Sequence, residues 1–393
     1  MSKKVYTVIM IKRDLSHKLK HLSLKFPVVS VVGPRQSGKT TLVRNVFPKL
    51  AYVSLEDLDV REFARQDPRG FLANYRKGVI LDEIQRVPDL FSYIQTLVDQ
   101  KNTAGNFILT GSQNFLLREN VSQTLAGRTA ILNLLPLSLA ELQKTSYALK
   151  NSEDYIFKGS YPRIYDKKIS PEDWYPNYIQ TYVERDVRLI KNISDLNAFQ
   201  KFIRLCAGRS GQILNLSSLG NDCGINHNTA KSWLSILESS YLVFLLKPYY
   251  KNFNKRLIKM PKLYFYDTGL ACSLLGIQNE KQLATHYLKG GLFETLIISE
   301  IMKNSFNKGM VPHCYYWRDK TGHEIDCLIE EGNSVVPIEI KSGKTITDDF
   351  FTGLKHWRKI TGGETSRPLV VYGGEENQKR TAGNIISWKR MTH

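Results

Sequence analysis

The sequence lacks several features that would place it in a specialised class of protein. Its five scattered cysteines include no C-x-x-C pair, so neither a zinc ribbon nor a disulfide framework is predicted. No apolar run approaches the ~20 residues of a membrane-spanning helix, and the N-terminus has no small-residue cleavage site that would indicate a secretion signal. No fixed-period repeat or low-complexity tract is visible. We therefore expect a globular protein of the cytoplasm, with reduced thiols and no membrane partner.

Acidic residues are scarce beside basic ones, with 37 Asp and Glu against 55 Lys and Arg and a formal charge of +18. Such an excess favours a polyanionic partner, with nucleic acid ahead of a membrane surface. The alternative is a basic surface that serves only solubility. The length of 393 residues predicts two or three domains. Met10 could serve as the start codon as well as Met1, so the relevance of residues 1–9 is left open.

A phosphate-binding loop follows the apolar, β-branched run that begins at Val28. The stretch matches the pattern G-x-x-x-x-G-K-[ST] in full and leads into a helix-forming segment. Backbone N–H groups of such a loop and the positive end of the next helix cradle phosphate oxygens. Lys39 is expected to reach the outer phosphates of ATP, and the Thr40 hydroxyl to bind Mg²⁺. The predicted nucleotide-binding residues are Gly33, Pro34, Arg35, Gln36, Ser37, Gly38, Lys39, Thr40, Thr41, Asp82 and Ser112.

A second apolar strand, from Val79, ends in the acidic pair Asp82 and Glu83. In the Walker B position Asp82 would hold the Mg²⁺ shell and Glu83 would polarise the attacking water. A strand that simply ends in a solvated acidic turn is the alternative. A further apolar strand, from Asn106, ends in small polar residues, and one of Thr110, Ser112 and Gln113 is expected near the γ-phosphate. Strands that alternate with helical patterns predict an α/β fold with a parallel sheet.

An arginine next to a glycine, Arg128, precedes a fifth strand that runs from Ala130. Near the γ-phosphate it could stabilise transition-state charge, either in its own chain or across a subunit of a homo-oligomer. A surface arginine without a catalytic role is equally compatible with the spacing.

Four stretches together carry a family resemblance: GPRQSGKTTL, VILDEIQRVPDLF, FILTGSQNFLL and LAGRTAILNLLPLSLAEL. In this order they resemble a widespread prokaryotic group of AAA+-type ATPases that end in a domain of unknown function. The resemblance covers almost the whole chain from Met10. It implies a P-loop AAA+ core over residues 1–148, with Walker A at Lys39 and Thr40 and Walker B at Asp82 and Glu83. The tyrosine-rich residues 149–200 resemble the helical lid of AAA+ proteins.

Residues 201–280 show the pattern of a helix-turn-helix followed by two strands, and the resemblance also points to a winged helix. Basic and aromatic residues alternate in the connection between the two strands, which suits phosphate contact and stacking on DNA bases. A winged helix used only for protein packing is the alternative. The predicted DNA-contacting residues are His227, Asn228 and Lys231 of the second helix and Lys251, Lys255, Arg256 and Lys259 of the connection.

Residues 281–393 carry a third set of polar residues, at Glu294, Asp326, Glu339 and Lys341. Side chains alternate along a strand, so Glu339 and Lys341 share one face, and pairing of their strand with that of Asp326 would bring two carboxylates together. Asp326, Glu339 and Glu294 could then bind Mg²⁺ or Mn²⁺, beside a lysine that stabilises negative charge or orients a water. This arrangement resembles the restriction-endonuclease-like fold, to which the family's C-terminal domain is related.

The combined hypothesis is an ATPase that binds DNA through a winged helix and carries a nuclease-like α/β domain with metal-dependent activity. One alternative is a nucleotide-dependent regulatory switch whose C-terminal domain is catalytically inactive and binds protein or DNA. Another is a DNA-binding protein without nuclease activity. The motifs leave the biological substrate and pathway open.

Overall fold

A computed structural model describes residues 11–101, 103–112, 124–187, 193, 195–249, 259–332, 334–362 and 367–391. Within these ranges, no helix combines the length and the apolar character needed to cross a bilayer.

The first sheet has five parallel strands in the order β2-β3-β4-β1-β5, which confirms the predicted parallel α/β fold. Its central strands are buried at every residue, because helices cover both faces, and this explains their unbroken apolar runs. The strands are β1 Val28–Val32, β2 Ala51–Ser54, β3 Val79–Asp82, β4 Phe107–Gly111 and β5 Thr129–Asn133. The helices of this part are α1 Leu15–Ser23, α2 Lys39–Val46, α3 Leu58–Gln66, α4 Pro68–Ala73, α5 Leu90–Lys101 and α6 Leu139–Gln143, with a 3₁₀ turn at Ile84–Arg86.

The strand register sets the position of the functional loops. Val32 of β1 lies opposite Gly111 of β4, and β3 pairs with β4 in the same direction. Because all strands are parallel, their carboxyl ends meet at one edge of the sheet. The loops that follow β1, β3 and β4 therefore come together there.

The middle of the chain is mostly helical and contains a small antiparallel sheet in the order β6-β8-β7. Its helices are α7 Ser152–Lys158, α8 Pro162–Asp166, α9 Pro171–Tyr178, a π-helix at Ile179–Val187, α10 Leu196–Gly208, α11 Leu216–Cys223, α12 His227–Ser239 and α13 Thr268–Leu274. Its strands are β6 Gln212–Ile213, β7 Val243–Leu246 and β8 Lys262–Phe265. Gly224, with φ of 74°, ends α11 in a left-handed conformation and turns the chain into α12.

The C-terminal part has a six-stranded mixed sheet in the order β13-β14-β12-β11-β10-β9. Its strands are β9 Cys314–Arg318, β10 Glu324–Glu331, β11 Ser334–Lys341, β12 Leu369–Tyr372, β13 Gln378–Arg380 and β14 Gly383–Ser387. Its helices are α14 Glu280–Ala284, α15 Lys289–Asn307 and α16 Thr352–Ile360, with 3₁₀ turns at Asp348–Phe351 and Trp388–Arg390. Strands β10 and β11 are antiparallel neighbours, as their predicted pairing requires.

A single large cluster of buried apolar side chains joins the three parts. It contains Val28 of β1, Phe244 of β7, Ile338 of β11 and Trp388 near the C-terminus. Polar contacts reinforce it, since Glu300 of α15 accepts a hydrogen bond from the backbone N–H of Leu139 over 2.7 Å. The three sheets therefore pack around a shared core, and contacts between them position the sites described next.

Candidate nucleotide site and C-terminal acidic cluster

The phosphate loop leaves β1 at Val32 and enters α2 at Lys39. A Cβ atom on Gly33 would lie 2.0 Å from the carbonyl oxygen of Leu134, so only glycine fits at this position. Gly38 has φ of 93° and Gln36 has φ of 64°, both in the left-handed region. Gly33 is thus required because two backbones approach each other closely, whereas Gly38 is required because its backbone is left-handed.

Lys39 is buried inside this loop. Its ammonium donates hydrogen bonds to the carbonyl oxygens of Gly33 and Pro34, each over 2.9 Å. Burial lowers the pKa of Lys39, while the charges of Glu83 and Asp82 act in the opposite direction. The lysine is therefore held at the position where the motif requires a positive charge next to bound phosphates.

Asp82 is the last residue of β3, and its carboxylate contacts Thr40, the second residue of α2. The Thr40 hydroxyl donates to its Oδ2 over 3.0 Å, and the Tyr52 hydroxyl donates to the same atom over 2.7 Å. Thr110 donates to Oδ1. Burial, together with the hydrogen bond to Asp82, raises the pKa of Tyr52 to about 12, so the phenol stays a neutral donor. Thr40 and Asp82 thus bring hydroxyl and carboxylate oxygens together, which are the ligands that Mg²⁺ prefers.

Glu83 follows Asp82 in a left-handed conformation, with φ of 56°. This conformation turns its buried carboxylate toward the end of β4, where the Ser112 hydroxyl donates to Oε2 over 2.8 Å and the Gln85 amide donates over 2.5 Å. Burial acts to raise the pKa of Glu83, but the charge of Lys39 and the hydrogen bonds from Ser112 and Gln85 lower it overall. Glu83 is therefore an ionised, oriented acceptor beside the phosphate loop.

The remaining predicted loop residues have different surroundings. Arg35 approaches Glu56 to 3.5 Å and lies over the ring of Tyr182, 5.8 Å from its centroid. Its carbonyl oxygen accepts a hydrogen bond from Tyr178 over 3.3 Å, so α9 and the π-helix both contact the phosphate loop. Thr41 is exposed on α2. Gln113 lies outside the described residues.

Arg13 is a site residue that sequence reasoning missed. This buried guanidinium donates to the carbonyl oxygen of Ser37 over 2.6 Å and to Glu141 over 3.0 Å. It thereby fixes the backbone of the phosphate loop against α6. No local pattern could indicate this, because its partners lie 24 and 128 residues away in the chain.

Arg128 lies at the opposite edge of the sheet from the phosphate loop. It precedes β5, whose first residue pairs with Val28 at the start of β1, whereas the loop follows the end of β1. Its guanidinium pairs with Asp99 over 2.5 Å. The expectation that Arg128 lies near the γ-phosphate of its own chain is therefore corrected, because a residue before a parallel strand is at the amino edge. A role toward a neighbouring copy stays a prediction, and so does the alternative of a surface arginine without a catalytic role.

The C-terminal carboxylates form an acidic cluster that includes Glu324, a residue that the sequence pattern does not predict there. Glu294, Glu324 and Asp326 each offer an oxygen atom, and these atoms lie within 4.8 Å of one another. Lys262 of β8, which is only 3% exposed, pairs with Glu294 over 2.9 Å and also with Glu324. Tyr264 donates to Glu294 over 2.5 Å. A lysine from the middle sheet thus supplies positive charge to an acidic cluster of the C-terminal sheet.

Glu339 lies next to this cluster and pairs with Lys341 over 2.9 Å. Its Oε1 atom is buried and has no hydrogen-bond partner among the described residues. Gly353 of α16 packs against it so closely that a Cβ atom would lie 2.0 Å from Oε1. Asp326 accepts a hydrogen bond from the backbone N–H of Ile340 over 2.7 Å, which places the two predicted metal ligands on neighbouring strands.

Burial dominates the electrostatics of these carboxyl groups. It raises the pKa of Glu294 to about 7 and that of Glu339 to about 8, and in both cases the negative charge of Asp326 adds to the effect. Burial also raises the pKa of Asp326. Although burial acts to lower it, the pKa of Lys262 is raised by Glu294 and Glu324. A cation that binds these carboxyl groups must therefore displace the protons that their raised pKa values favour.

The predicted DNA-contacting residues fall into two groups. His227, Asn228 and Lys231 are exposed along α12, while Ala230, Trp233 and Leu234 of the same helix are buried. Lys259 is exposed just before β8. The other three, which are Lys251, Lys255 and Arg256, lie outside the described residues.

Three family models match successive parts of the chain. Residues 25–143 match a model described as AAA domain, residues 149–281 match Domain of unknown function (DUF8612), and residues 289–391 match Domain of unknown function (DUF4143). The first match makes residues 25–143, which contain the parallel sheet and the phosphate loop, similar to an AAA domain, and this similarity supports ATP binding.

Several relatives and solved structures are similar to this chain over much of its length. An uncharacterized protein of Mycobacterium tuberculosis, Rv2008c, is 27% identical over 93% of this chain and 80% of its own. An uncharacterized protein of Methanocaldococcus jannaschii, MJ1544, is 23% identical over 81% of this chain and 75% of its own. Among solved structures, the Walker-type ATPase PABY2304 of Pyrococcus abyssi is similar with a TM-score of 0.46 and 14% identity, over 67% of this chain and 96% of that one.

Proposed function

We propose that this protein hydrolyses ATP at the phosphate loop, and the position of Glu83 carries the proposal. Lys39 and the loop backbone would hold the phosphates, while Thr40 and Asp82 would hold Mg²⁺ with the oxygen donors that lie 3.0 Å apart. Bound Mg²⁺ supplies positive charge that stabilises a phosphoryl group during transfer. The Glu83 carboxylate, oriented by Ser112 and Gln85, accepts a proton from the attacking water.

The lowered pKa of Glu83 keeps its carboxylate ionised at neutral pH, which is the protonation state that a base requires. Its left-handed backbone is an uncommon conformation for a side-chain-bearing residue. Such strain at a polar site is often retained because it aims a functional group. Arg13 positions the loop from behind through Ser37, and contacts no nucleotide in this proposal.

Two variants test the ATPase proposal. Glu83→Gln should keep nucleotide binding but lower turnover by about 10²–10⁴-fold, the usual contribution of general-base catalysis. Lys39→Ala should lose both. Glu62→Gln, an exposed acid on α3, is the matched control and should behave as the unmodified chain. ATP turnover is measured by phosphate release, and binding by a fluorescent nucleotide. Unchanged turnover in both site variants would remove the assignment.

We also propose that α12 contacts DNA, with Lys231, His227 and Asn228 on the face that reaches the groove. The supporting observation is that this face is exposed while the opposite face of the helix packs into the core. A helix-turn-helix uses its second helix in this way. The net charge of +18 favours the approach of a polyanion.

For the C-terminal part we propose a metal-dependent nuclease site formed by Asp326, Glu339 and Glu294, with Lys341 as the charge-stabilising residue. The supporting observations are that Glu294, Asp326 and Glu324 bring carboxylate oxygens within 4.8 Å of one another, and that burial and the charge of Asp326 raise the pKa of Glu339, which shows that Glu339 lies near Asp326. Oxygen ligands of this kind suit Mg²⁺ or Mn²⁺. One observation favours the regulatory switch instead, namely that Lys262 already neutralises Glu294 and Glu324. In that case the cluster would hold the parts of the molecule together and would not bind metal.

A further inference from the structure

A second group of potential metal ligands lies in the C-terminal part and contains nitrogen as well as oxygen donors. Asp319 directly follows β9, His323 directly precedes β10, and His356 belongs to α16. Asp319 Oδ2 is 3.6 Å from His323 Nδ1 and 3.7 Å from His356 Nε2. All three ligand atoms lie within 4.8 Å of one another. None of these residues takes part in the functions proposed above.

The distances match those between two ligands of one ion. Zinc binds imidazole nitrogen and carboxylate oxygen at about 2.0–2.2 Å, so ligand atoms that share a tetrahedral ion lie roughly 3.4 Å apart. The two measured distances are within a few tenths of an ångström of this value. Both are longer than a direct hydrogen bond, and His323 Nδ1 lies 2.9 Å from the Thr321 hydroxyl, so a bound ion would replace that hydrogen bond.

Asp319 is presented as a fixed ligand. Its side chain is 4% exposed, and its Oδ1 atom accepts hydrogen bonds from the Thr321 hydroxyl over 2.7 Å, the Thr321 backbone over 2.9 Å and the His323 backbone over 3.1 Å. These bonds set the rotamer of the carboxylate. The other oxygen, Oδ2, is the one that faces both imidazole rings.

The two rings are stacked, with centroids 3.7 Å apart and an interplanar angle of 7°. An imidazole lone pair lies in the plane of its ring, so parallel rings cannot both point at one ion until they tilt apart. His323 is 44% exposed and can turn toward solvent, whereas His356 is 20% exposed and packs near Trp317. His356 and Asp319 thus form the fixed pair, and His323 closes on the ion from the open side.

The donor set determines the class of ion. Two imidazoles and one carboxylate suit a borderline cation such as Zn²⁺, whereas Mg²⁺ and Ca²⁺ prefer oxygen ligands alone. We propose that Asp319, His323 and His356 bind one Zn²⁺ ion, with a fourth position open to water. The all-carboxylate cluster at Asp326 differs in chemistry, so the two places would select different metals.

A bound ion would join the turn between β9 and β10 to α16. Gly353, one turn before His356 on that helix, packs against Glu339 and against the backbone of Glu324. The ion would therefore fix the helix that covers the acidic cluster. This consequence does not depend on whether the cluster cleaves DNA or on whether the phosphate loop hydrolyses ATP.

The test is a titration of the chelator-treated full chain with Zn²⁺, in millimolar Mg²⁺ to fill the oxygen-ligand sites. We expect one strong Zn²⁺ equivalent by calorimetry. His323→Gln and His356→Gln should each weaken it by more than the roughly 10–100-fold that loss of an outer partner costs. Asp326→Asn is the matched control and should retain the affinity. Cu²⁺ used as a probe should show coupling to two nitrogens in its electron paramagnetic resonance spectrum, and to one in each histidine variant.

Thermal unfolding without metal checks that the variants fold, and His323→Gln serves best because its side chain is more exposed than that of His356. Two results would overturn the proposal. One is Zn²⁺ binding that survives both histidine substitutions or is lost in Asp326→Asn, which would place the ion at the acidic cluster. The other is the absence of a Zn²⁺ equivalent in folded, unmodified protein.

Discussion

Lys262 on β8 and Glu294 on α15 form an ion pair between a buried lysine and a partly buried glutamate, with 2.9 Å between Nζ and Oε1. The lysine belongs to the small antiparallel sheet and the glutamate to the helix that packs on the C-terminal sheet. A second contact joins the same two parts of the molecule. The backbone N–H of Tyr249, which follows β7, donates a hydrogen bond to the carbonyl oxygen of Tyr316 on β9 over 2.8 Å. The acidic cluster is therefore built by two parts of the molecule and depends on how they dock.

Removing the Lys262 ammonium should destabilise the protein. In Lys262→Met the carboxylates of Glu294 and Glu324 lose their buried partner, and breaking a buried pair in this way costs about 3–5 kcal/mol. Lys259→Met, which alters an exposed lysine three residues earlier, should change the free energy of unfolding little. Urea denaturation measures both. The double variant Lys262→Met with Glu294→Gln should recover part of the loss; a single-variant loss no larger than that of Lys259→Met would contradict the buried pair.

Stability should fall as pH rises from about 5 to 8. The folded-state pKa values of Glu294 and Glu339 are raised to about 7 and about 8 from an ordinary value of 4.5, so in this window the folded chain holds protons that the unfolded chain releases. The free energy of unfolding then decreases with pH, by at most about 1.4 kcal/mol per pH unit for each such carboxyl. Glu339→Gln should flatten the slope.

The matched control for this pH dependence is Glu331→Gln, at the exposed end of the same β10 strand that carries Asp326. It should keep the slope of the unmodified chain, measured by denaturation at each pH in the absence of divalent ions. A slope that Glu339→Gln leaves unchanged would show that this carboxyl is not protonated in the folded state.

Plasmid cleavage separates the nuclease from the regulatory switch. With Mg²⁺ or Mn²⁺, with and without ATP, we expect nicking that disappears in Asp326→Ala and Glu339→Ala, because both carboxylates would bind the metal. Glu331→Ala should cleave normally. If no metal supports cleavage while ATP binding is intact, the C-terminal part serves as a binding module. The ion pairs of Lys262 would then explain why the carboxylates bind no metal.

DNA affinity should depend on salt and on Lys231. Each phosphate contact contributes about one unit to the slope of log affinity against log salt concentration, so Lys231→Ala should weaken binding and lower the slope by about 1. Lys101→Ala, which alters an exposed lysine at the end of α5, is the control. Fluorescence anisotropy at several salt concentrations gives both quantities. Salt-independent binding would argue against a nucleic-acid role for α12.

The nucleotide site could be predicted because its signals are local in the chain. Gly33, Gly38, Lys39 and Thr40 lie within eight consecutive residues, and Asp82 follows an apolar strand that the same pattern identifies. Parallel strands then bring these ends together without any long-range information. The same rule explains why the prediction for Arg128 is wrong. A residue that precedes a strand lies at the amino edge of a parallel sheet, even when it is close in sequence to the nucleotide-binding motifs.

The C-terminal cluster could be predicted only in part, because its membership depends on packing between distant elements. Alternation along β10 and β11 predicts the placement of Asp326 and Glu339. It gives no sign of Lys262, which lies in another sheet, 32 residues before Glu294. The same limit hides His356, because the approach of a helix to a turn more than 30 residues earlier leaves no trace in local periodicity.

The shared apolar core has a thermodynamic consequence. Val28, Phe244 and Ile338 belong to three different sheets, yet each contributes to the same buried cluster. An interface of this kind couples the sheets far more tightly than the polar contacts that usually join domains. Heat should therefore unfold the three parts in one cooperative calorimetric transition. A fragment that contains only one of the three parts would expose apolar side chains that the other parts cover. Relative motion of the three parts is then expected as small displacements within a common core, and not as rotation of independent domains.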